Sequence, residues 1–406
     1  MDYIELSKLF YRNEAEYISE YKSRFNSADT IKLNFNIGNN RAFFVQNAEV
    51  AKIVFQILKA DKSVSLISGK LPGRAHDQFS KSCLINEIVL TNKIEGVYST
   101  RREIASILNE LNDTVKERKS RKRFWGLVSQ YVKLNTKESV PVKTCEDLRQ
   151  LYDELVLEEV LEENPGNVPD GRLFRKESTS VYTSTDREIH RGGYPESTII
   201  SKLEEALAFL HNDEIELLYR ISVFHYLLGY IHPFYDGNGR LGRFIVSSLL
   251  AQEFCPLLSY RISSTIIENI NTYYGAFKVC NDPHNLGDVT PFLIMMLDMI
   301  KLSILELKKT LSARLERLAR YQEIITALPN GEQDRTFDAY YVLIQAGLFS
   351  EHGISTSEFT NYLRSSYTTA KKELDLLADH RWLIKNRIGK ENFYQLDLER
   401  LDNYLK

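Results

Sequence analysis

The densest chemistry in this sequence lies in twelve residues, HPFYDGNGRLGR, at positions 232–243. Gly237 and Gly239 leave the backbone bare, so their N–H groups can face an anion. A helix beginning near Arg240 would aim its own unpaired N–H groups at the same point. Arg240 and Arg243 are three residues apart, near one face of that first turn, where both reach a polyphosphate. Asp236 is a hard oxygen ligand suited to Mg²⁺ bridging phosphates. Asn238 can donate to a non-bridging oxygen. His232, with an ordinary pKa of about 6.5, suits deprotonation of a hydroxyl. Together these types and spacings describe nucleophilic attack on a nucleotide phosphate, with charge stabilised by backbone amides, Mg²⁺ and arginines.

Two other readings compete. The letters GNGRLG match the dinucleotide fingerprint G-x-G-x-x-G, which needs a strand before it and an acid about twenty residues after it. Here the preceding segment, EIELLYRISVFHYLLGYI (214–231), places Leu217, Leu218, Ile221, Phe224, Leu228 and Ile231 on one broad apolar helical face. The following FIVSSLLAQEF continues with helical spacing of Leu241, Phe244, Ile245 and Leu249. The context is helix, loop, helix; on this reading Gly242, the third glycine of the fingerprint, is incidental. A plain glycine turn would need one glycine as a helix cap, not so many polar groups beside a core helix.

HPFYDGNGRLGR resembles the Fic family signature, H-x-F-x-[D/E]-G-N-G-R-x-x-R, and matches it at every fixed position. The resemblance implies a mainly α fold: a Fic helical core with a short β-hairpin flap. It implies transfer of AMP from ATP to a Ser, Thr or Tyr hydroxyl of a protein target, self-modification included. His232 would deprotonate the hydroxyl, and Asp236 would bind Mg²⁺ on the α- and β-phosphates. Gly237, Asn238 and Gly239 would form the anion hole, with Arg240 on the β-phosphate side, Arg243 on the γ-phosphate and Phe234 anchoring the loop. TYYGAFKVCND (272–282) is similar to a family segment that would bring Tyr274 and Asn281 near the adenine. VYTSTDREIHRGGYP falls where the family has a flap that holds an extended target segment by strand addition. TNKIEG (91–96) fits the family's inhibitory pattern. By that match Glu95 pairs with Arg243 and removes it from the γ-phosphate, while Thr91 fixes the helix. Removal of AMP at the same site, and a nucleotide-sensing DNA-binding regulator, are the alternatives.

The elements that must position these residues are mostly helical. The chain has 406 residues, 43% hydrophobic and 26% charged, with net charge −3. That is ordinary for a globular protein of about two to three domains. Nucleic-acid or membrane binding would have to come from a local patch, such as KERKSRKRF (116–124), whose plainer reading is a solvated helix end. The acidic start MDYIELSKLFYRNEAEY is not a signal peptide, and PFLIMML is too short to span a bilayer. Cys83, Cys145, Cys255 and Cys280 form no C-x-x-C pair, which suits reduced thiols in a cytoplasm.

Periodicity places helices at 47–60, 82–95 and 301–327, and the Thr100–Glu103 spacing suggests a capped helix start. Beyond 336 the pattern is three helices, the second starting at Thr356, and a hairpin turning at Gly389-Lys390. This reads as a winged helix-turn-helix. Lys371, Lys372, Arg381, Lys385, Arg387 and Lys390 would supply phosphate contacts, diluted by Glu373, Asp375, Asp379 and Glu391. DNA binding through 356–396 and a protein–protein role both stay open. The expected organisation is a mostly helical extension (1–84), the Fic core (85–300) with inhibitory helix (82–96) and flap (172–193), a connector helix (301–330) and the winged helix (331–406). A homodimer is the family expectation, and no membrane association is expected.

Overall fold

In the computed structural model the described residues are 3–111, 122–138, 140–182, 188–388 and 391–404. Most of the basic run 116–124, part of the expected flap and the Gly389-Lys390 turn lie outside them. The chain divides into two compact units: Met1–Asp61 with Leu84–Leu305, and Lys62–Cys83 with Glu306–Lys406. This grouping differs from a separate extension over 1–84.

In the first unit, α1 (Leu6–Arg12) and α2 (Glu14–Phe25) lead into an antiparallel hairpin, β1 (Thr30–Ile37) and β2 (Asn40–Val45). Gly38, at φ +57°, makes its tight turn. The hairpin is tied to the core: Phe43 N–H donates to Gly287 and Val289 N–H donates to Phe43. Nearby, Tyr3 and Arg24 both bond the buried carboxylate of Asp288. These ties are why the first 61 residues belong to the core. Then come α3 (Ala48–Ser68) and α4 (Gly73–Ile94), of which the stretch Lys62–Cys83 belongs to the second unit, and α5 (Arg101–Leu111). Thr100 and Glu103 exchange the two expected capping bonds. There follow α6 (Trp125–Lys133), α7 (Cys145–Leu155), α8 (Leu157–Glu163) and the short antiparallel pair β3 (Ser180–Tyr182) and β4 (Glu188–Arg191). The remaining helices of the unit are α9 (Glu196–Leu210), α10 (Leu217–Ile231), α11 (Asn238–Glu253), α12 (Ile262–Glu268), α13 (Ile270–Asn281) and the first part of α14 (Thr290–Ile324).

The second unit contains the end of α3 and the start of α4 within Lys62–Cys83, the rest of α14, then α15 (Asp334–Phe349), β5 (Ile354–Ser355), α16 (Thr356–Tyr362), α17 (Tyr367–Asp379), β6 (Leu383–Ile388), β7 (Glu391–Leu396) and α18 (Leu398–Tyr404). The three strands form one sheet in the order β5-β7-β6. The cap of α16 is Ser355, one residue earlier than expected, because Ser355 and Glu358 form a reciprocal capping box. Ser366 caps α17. Exposed Lys371 and Lys372 share α17 with exposed Asp375 and Asp379, so charge along the helix is mixed.

The centre of the first unit is α10. Residues 221–228 are all buried, so the helix is enclosed on every side rather than on one broad face. It hands over to α11 through the 232–237 loop. Gly242 is not incidental to that packing. A β-carbon there would lie 3.0 Å from Nδ1 and 3.1 Å from Cε1 of the buried His225 ring. Absence of a side chain lets the two helices close on each other. Gly242→Ala is therefore expected to destabilise the fold by about 1–3 kcal/mol, measured by chemical denaturation.

Candidate active site

The loop between α10 and α11 is shaped by contacts at His232, Phe234 and Asn238. His232 ends α10 in the left-handed region (φ 52°, ψ 63°), with its N–H on Leu228 O. A non-glycine residue holds that conformation only where its surroundings fix it. Phe234 is fully buried, and its ring stacks on Tyr152 of α7 at 3.6 Å with 6° between the planes. The Tyr152 hydroxyl also donates to Asp236 O. Asn238 closes the loop: its Oδ1 accepts from Phe234 N–H at 3.0 Å and its Nδ2 donates to Phe234 O at 2.9 Å. Its amide thus shapes the loop directly, and one amide hydrogen remains for another acceptor. Gly237 precedes α11 at φ +80°, packed so closely on Val156 and Tyr152 that a β-carbon would meet both.

The α11 N-terminus has glycine at its cap and so no capping side chain of its own, and Gly237 N–H donates to Asp236 Oδ1 at 2.5 Å. Arg240 and Arg243 are both fully buried. Among the described residues none of the three guanidinium nitrogens of Arg240 has a hydrogen-bond partner, and Asp236 Oδ1 stands 3.9 Å from Nη2. The buried Glu159 of α8 adds a second negative neighbour; burial pushes its carboxyl up to about 7, against the opposing pull of Arg240. A buried guanidinium without hydrogen-bond acceptors, beside a helix start, is chemically suited to an anion.

Arg243 is fully engaged. Its Nη1 lies 2.8 Å from Glu95 Oε1, its Nε donates to Thr91 Oγ1 at 2.8 Å and its Nη2 donates to Thr91 O at 3.0 Å. Burial alone would make Arg243 easier to deprotonate, but Glu95 reverses this and strengthens its hold on the proton. The Glu95 carboxylate also sits over Gly239: a β-carbon there would come within 2.1 Å of Oε1. An acid thus occupies one side of the α11 N-terminus. Thr91 and Glu95 share a face of the α4 segment with Glu87, four residues apart each time. Glu87 is fully buried and accepts from Ser263 N–H and Ser263 Oγ at the start of α12. Burial pushes its carboxyl up to about 7, with the Ser263 bonds and Arg243 pulling the other way.

Tyr274, on α13, is 41% exposed, and its hydroxyl is pushed up by partial desolvation and by Glu95, with Arg243 opposing. Asn281 is elsewhere on the same helix; its Oδ1 accepts from the Tyr226 hydroxyl at 2.8 Å. His225 is no rival base. It is buried and bonded through Nε2 to Tyr273, and burial, then Arg243, pushes it down to about 3. Two residues beyond those expected shape this region, Glu196 at the approach to β3 and Arg175 at the loop. Glu196 accepts three N–H donors, from Arg172, Leu173 and Phe174, at the approach to β3. Arg175, fully buried, donates Nε to His232 O. Asp236 is the single carboxylate at the loop suited to Mg²⁺, and no cluster of three or more metal-binding side chains occurs among the described residues. A single carboxylate fits Mg²⁺ that takes its remaining ligands from phosphates and water.

The chain is similar to known proteins. Residues 143–250 match the Fic/DOC family. A Fic family protein from Desulfovibrio desulfuricans G20 shares the fold, with a TM-score of 0.53 at 18% identity, over 86% of this chain and 96% of that one. The chain is 27% identical over 156 residues to protein adenylyltransferase fic-1 of Caenorhabditis elegans, covering 37% of this chain and 28% of that relative. It is 29% identical over 101 residues to protein adenylyltransferase Fic of Drosophila yakuba, covering 25% of this chain and 18% of that relative. The matches thus span less than a third of these relatives' lengths. No described helix is long and apolar enough to cross a membrane.

Two outcomes are expected. Replacing Arg240 with Met removes a buried, unbonded charge, so Arg240→Met is expected to unfold at or above the parent's temperature without ligand. In a Glu95→Gly background, where the acid no longer competes, the same substitution should abolish any thermal shift that added ATP produces; differential scanning fluorimetry reads both. Glu87 carries a raised folded pKa, so the unfolded chain ionises first as pH rises. Its contribution falls between the ordinary carboxyl value and about 7 and is constant above. Glu87→Gln should remove that part of the stability loss, seen by denaturation at pH 4.5 and pH 8.

Proposed function

We propose that this chain is a protein adenylyltransferase held in a restrained state by Glu95. The observation that carries the reading is the α11 N-terminus: bare glycines, a buried Arg240 without hydrogen-bond partners among the described residues, and an Arg243 already paired with an acid. Such a cradle suits the phosphates of ATP. The hydroxyl oxygen of the target would attack the α-phosphorus, and the bond to the bridging oxygen of pyrophosphate would break. The hydroxyl proton would pass to the His232 ring. Backbone N–H groups of 237–240 and the Arg240 guanidinium would hold the phosphate charge; Asp236 would carry Mg²⁺, which neutralises it further when bound. The β3/β4 hairpin would hold the target segment by strand addition. Tyr274 would lie on the nucleotide side.

The restraint follows from sharing. Arg243 cannot hold a γ-phosphate while Glu95 holds it, and the Glu95 carboxylate fills the space over Gly239 where phosphate oxygens would stand. Two anions in one cradle repel.

Labelled ATP and Mg²⁺ with the purified chain test this. Glu95→Gly is expected to raise AMP transfer, to itself or to a target with an accessible hydroxyl, by roughly 5–150-fold, the span of ordinary coupling energies. His232→Ala in that background is expected to lower transfer by about 10²–10⁴-fold. Mass spectrometry of the Glu95→Gly protein identifies the added group. A Glu95→Gly protein no more active than the parent would sink the restraint. A protein that strips AMP from a modified target without adding it would reverse the direction of the reaction.

A further inference from the structure

Arg175 lies outside the 232–243 loop, yet it is one of the largest fully buried side chains in the chain. Its backbone N–H donates to Pro233 O at 3.3 Å. Its guanidinium makes three more bonds. Nε donates to His232 O at 2.9 Å, Nη1 to Glu177 O at 2.5 Å and Nη2 to Gly193 O at 2.8 Å. The three carbonyls belong to three segments: the first residue of the loop, the approach to β3 and the chain leaving β4. The fit leaves no slack: a β-carbon on Gly192 would lie 2.5 Å from Nη2 and 3.0 Å from the His232 Cβ. Gly193 N–H, in turn, donates to Ile231 O at 2.8 Å.

All three acceptors are neutral carbonyls, and a planar fork of donors reaches them together, which an ammonium at one point does not. One side chain therefore fixes the left-handed His232 and both ends of the hairpin against each other. A base works only within hydrogen-bond reach of the proton it takes, and the hairpin is what would deliver that proton.

We infer that Arg175 is the positioning residue of the proposed transfer, setting His232 and the target-holding hairpin in register through three backbone carbonyls. This rests on the adenylyl-transfer reading above. The nucleotide cradle at 237–243 makes none of these bonds, so loss of Arg175 should disturb the meeting of hydroxyl and base and leave nucleotide binding alone.

The test uses the full chain in the Glu95→Gly background. Arg175→Gln is expected to lower kcat for AMP transfer about 100-fold, the effect of ångström-scale misplacement, with affinity for a fluorescent ATP analogue held within about threefold. Arg175→Lys, which keeps the charge but loses the fork, should fall between the two. Transfer by Arg175→Gln within about threefold of its parent overturns the inference. So does a parallel loss of nucleotide affinity, which is what a merely structural role would give. Hydrogen exchange read by mass spectrometry needs no activity: segments 172–179, 190–196 and 229–236 should all exchange faster together in Arg175→Gln. Loosening confined to 172–179 overturns the coupling. Should Arg175→Gln fail to accumulate folded, Arg175→Lys carries both measurements. If Glu95→Gly binds ATP and transfers nothing, the adenylyl-transfer reading fails, while the exchange result still decides the register.

Discussion

A guanidinium taken out of water must find acceptors, and three fully buried arginines organise this site around that demand. Arg175 is satisfied by backbone carbonyls and so fixes shape. Arg243 is satisfied by Thr91 and Glu95, both from the α4 end of the unit, and so ties the loop to a helix distant in sequence. Arg240 is satisfied by neither, beyond a long approach from Asp236. The rest of the site follows from this division. Glycines leave room for the guanidinium ends of Arg175 and Arg243, and Phe234 and Tyr152 hold the loop backbone still.

The acidic groups show the complementary pattern. Glu95 is partly exposed and faces a cation, Glu87 is enclosed and faces the N–H and hydroxyl of Ser263, and Glu159 is enclosed near Arg240. The same residue type therefore does three jobs, set by burial and by which donors meet it. The buried pair have carboxyls displaced upward, while Glu196, with three N–H donors, is drawn below the ordinary range despite partial burial.

The loop was legible in the sequence because its chemistry sits in consecutive residues. Helices were legible from apolar spacing, and the Glu95–Arg243 contact from a six-residue pattern. Other features were hidden by distance. Arg175 sits in LFRK, among apolar neighbours, and acts on a carbonyl 57 residues away. Glu87 sits in LINEIV and meets its serine 176 residues away. No local spacing reports such pairings. The β1/β2 hairpin had a usable signal, alternation in TIKLNFNI around a Gly-Asn turn, that a helical reading of residues 1–84 passed over. Asn238 was misjudged in emphasis rather than in place: the amide that suits a phosphate oxygen also suits the Phe234 peptide, and the peptide is always present. Gly242 looked incidental because its partner, the His225 ring, belongs to the preceding helix.

The α4 helix stops just before Glu95, and Gly96, at φ +76°, turns the chain away. Glu95 therefore hangs at the carbonyl end of one helix while touching the amide end of another. The first end repels a carboxylate and the second attracts it, each by about 0.3–1 kcal/mol where exposed. An acid in that place is pushed from behind and pulled from ahead. Fraying that final turn would release both at once. The contact is thus closer to a latch under load than to a bolt.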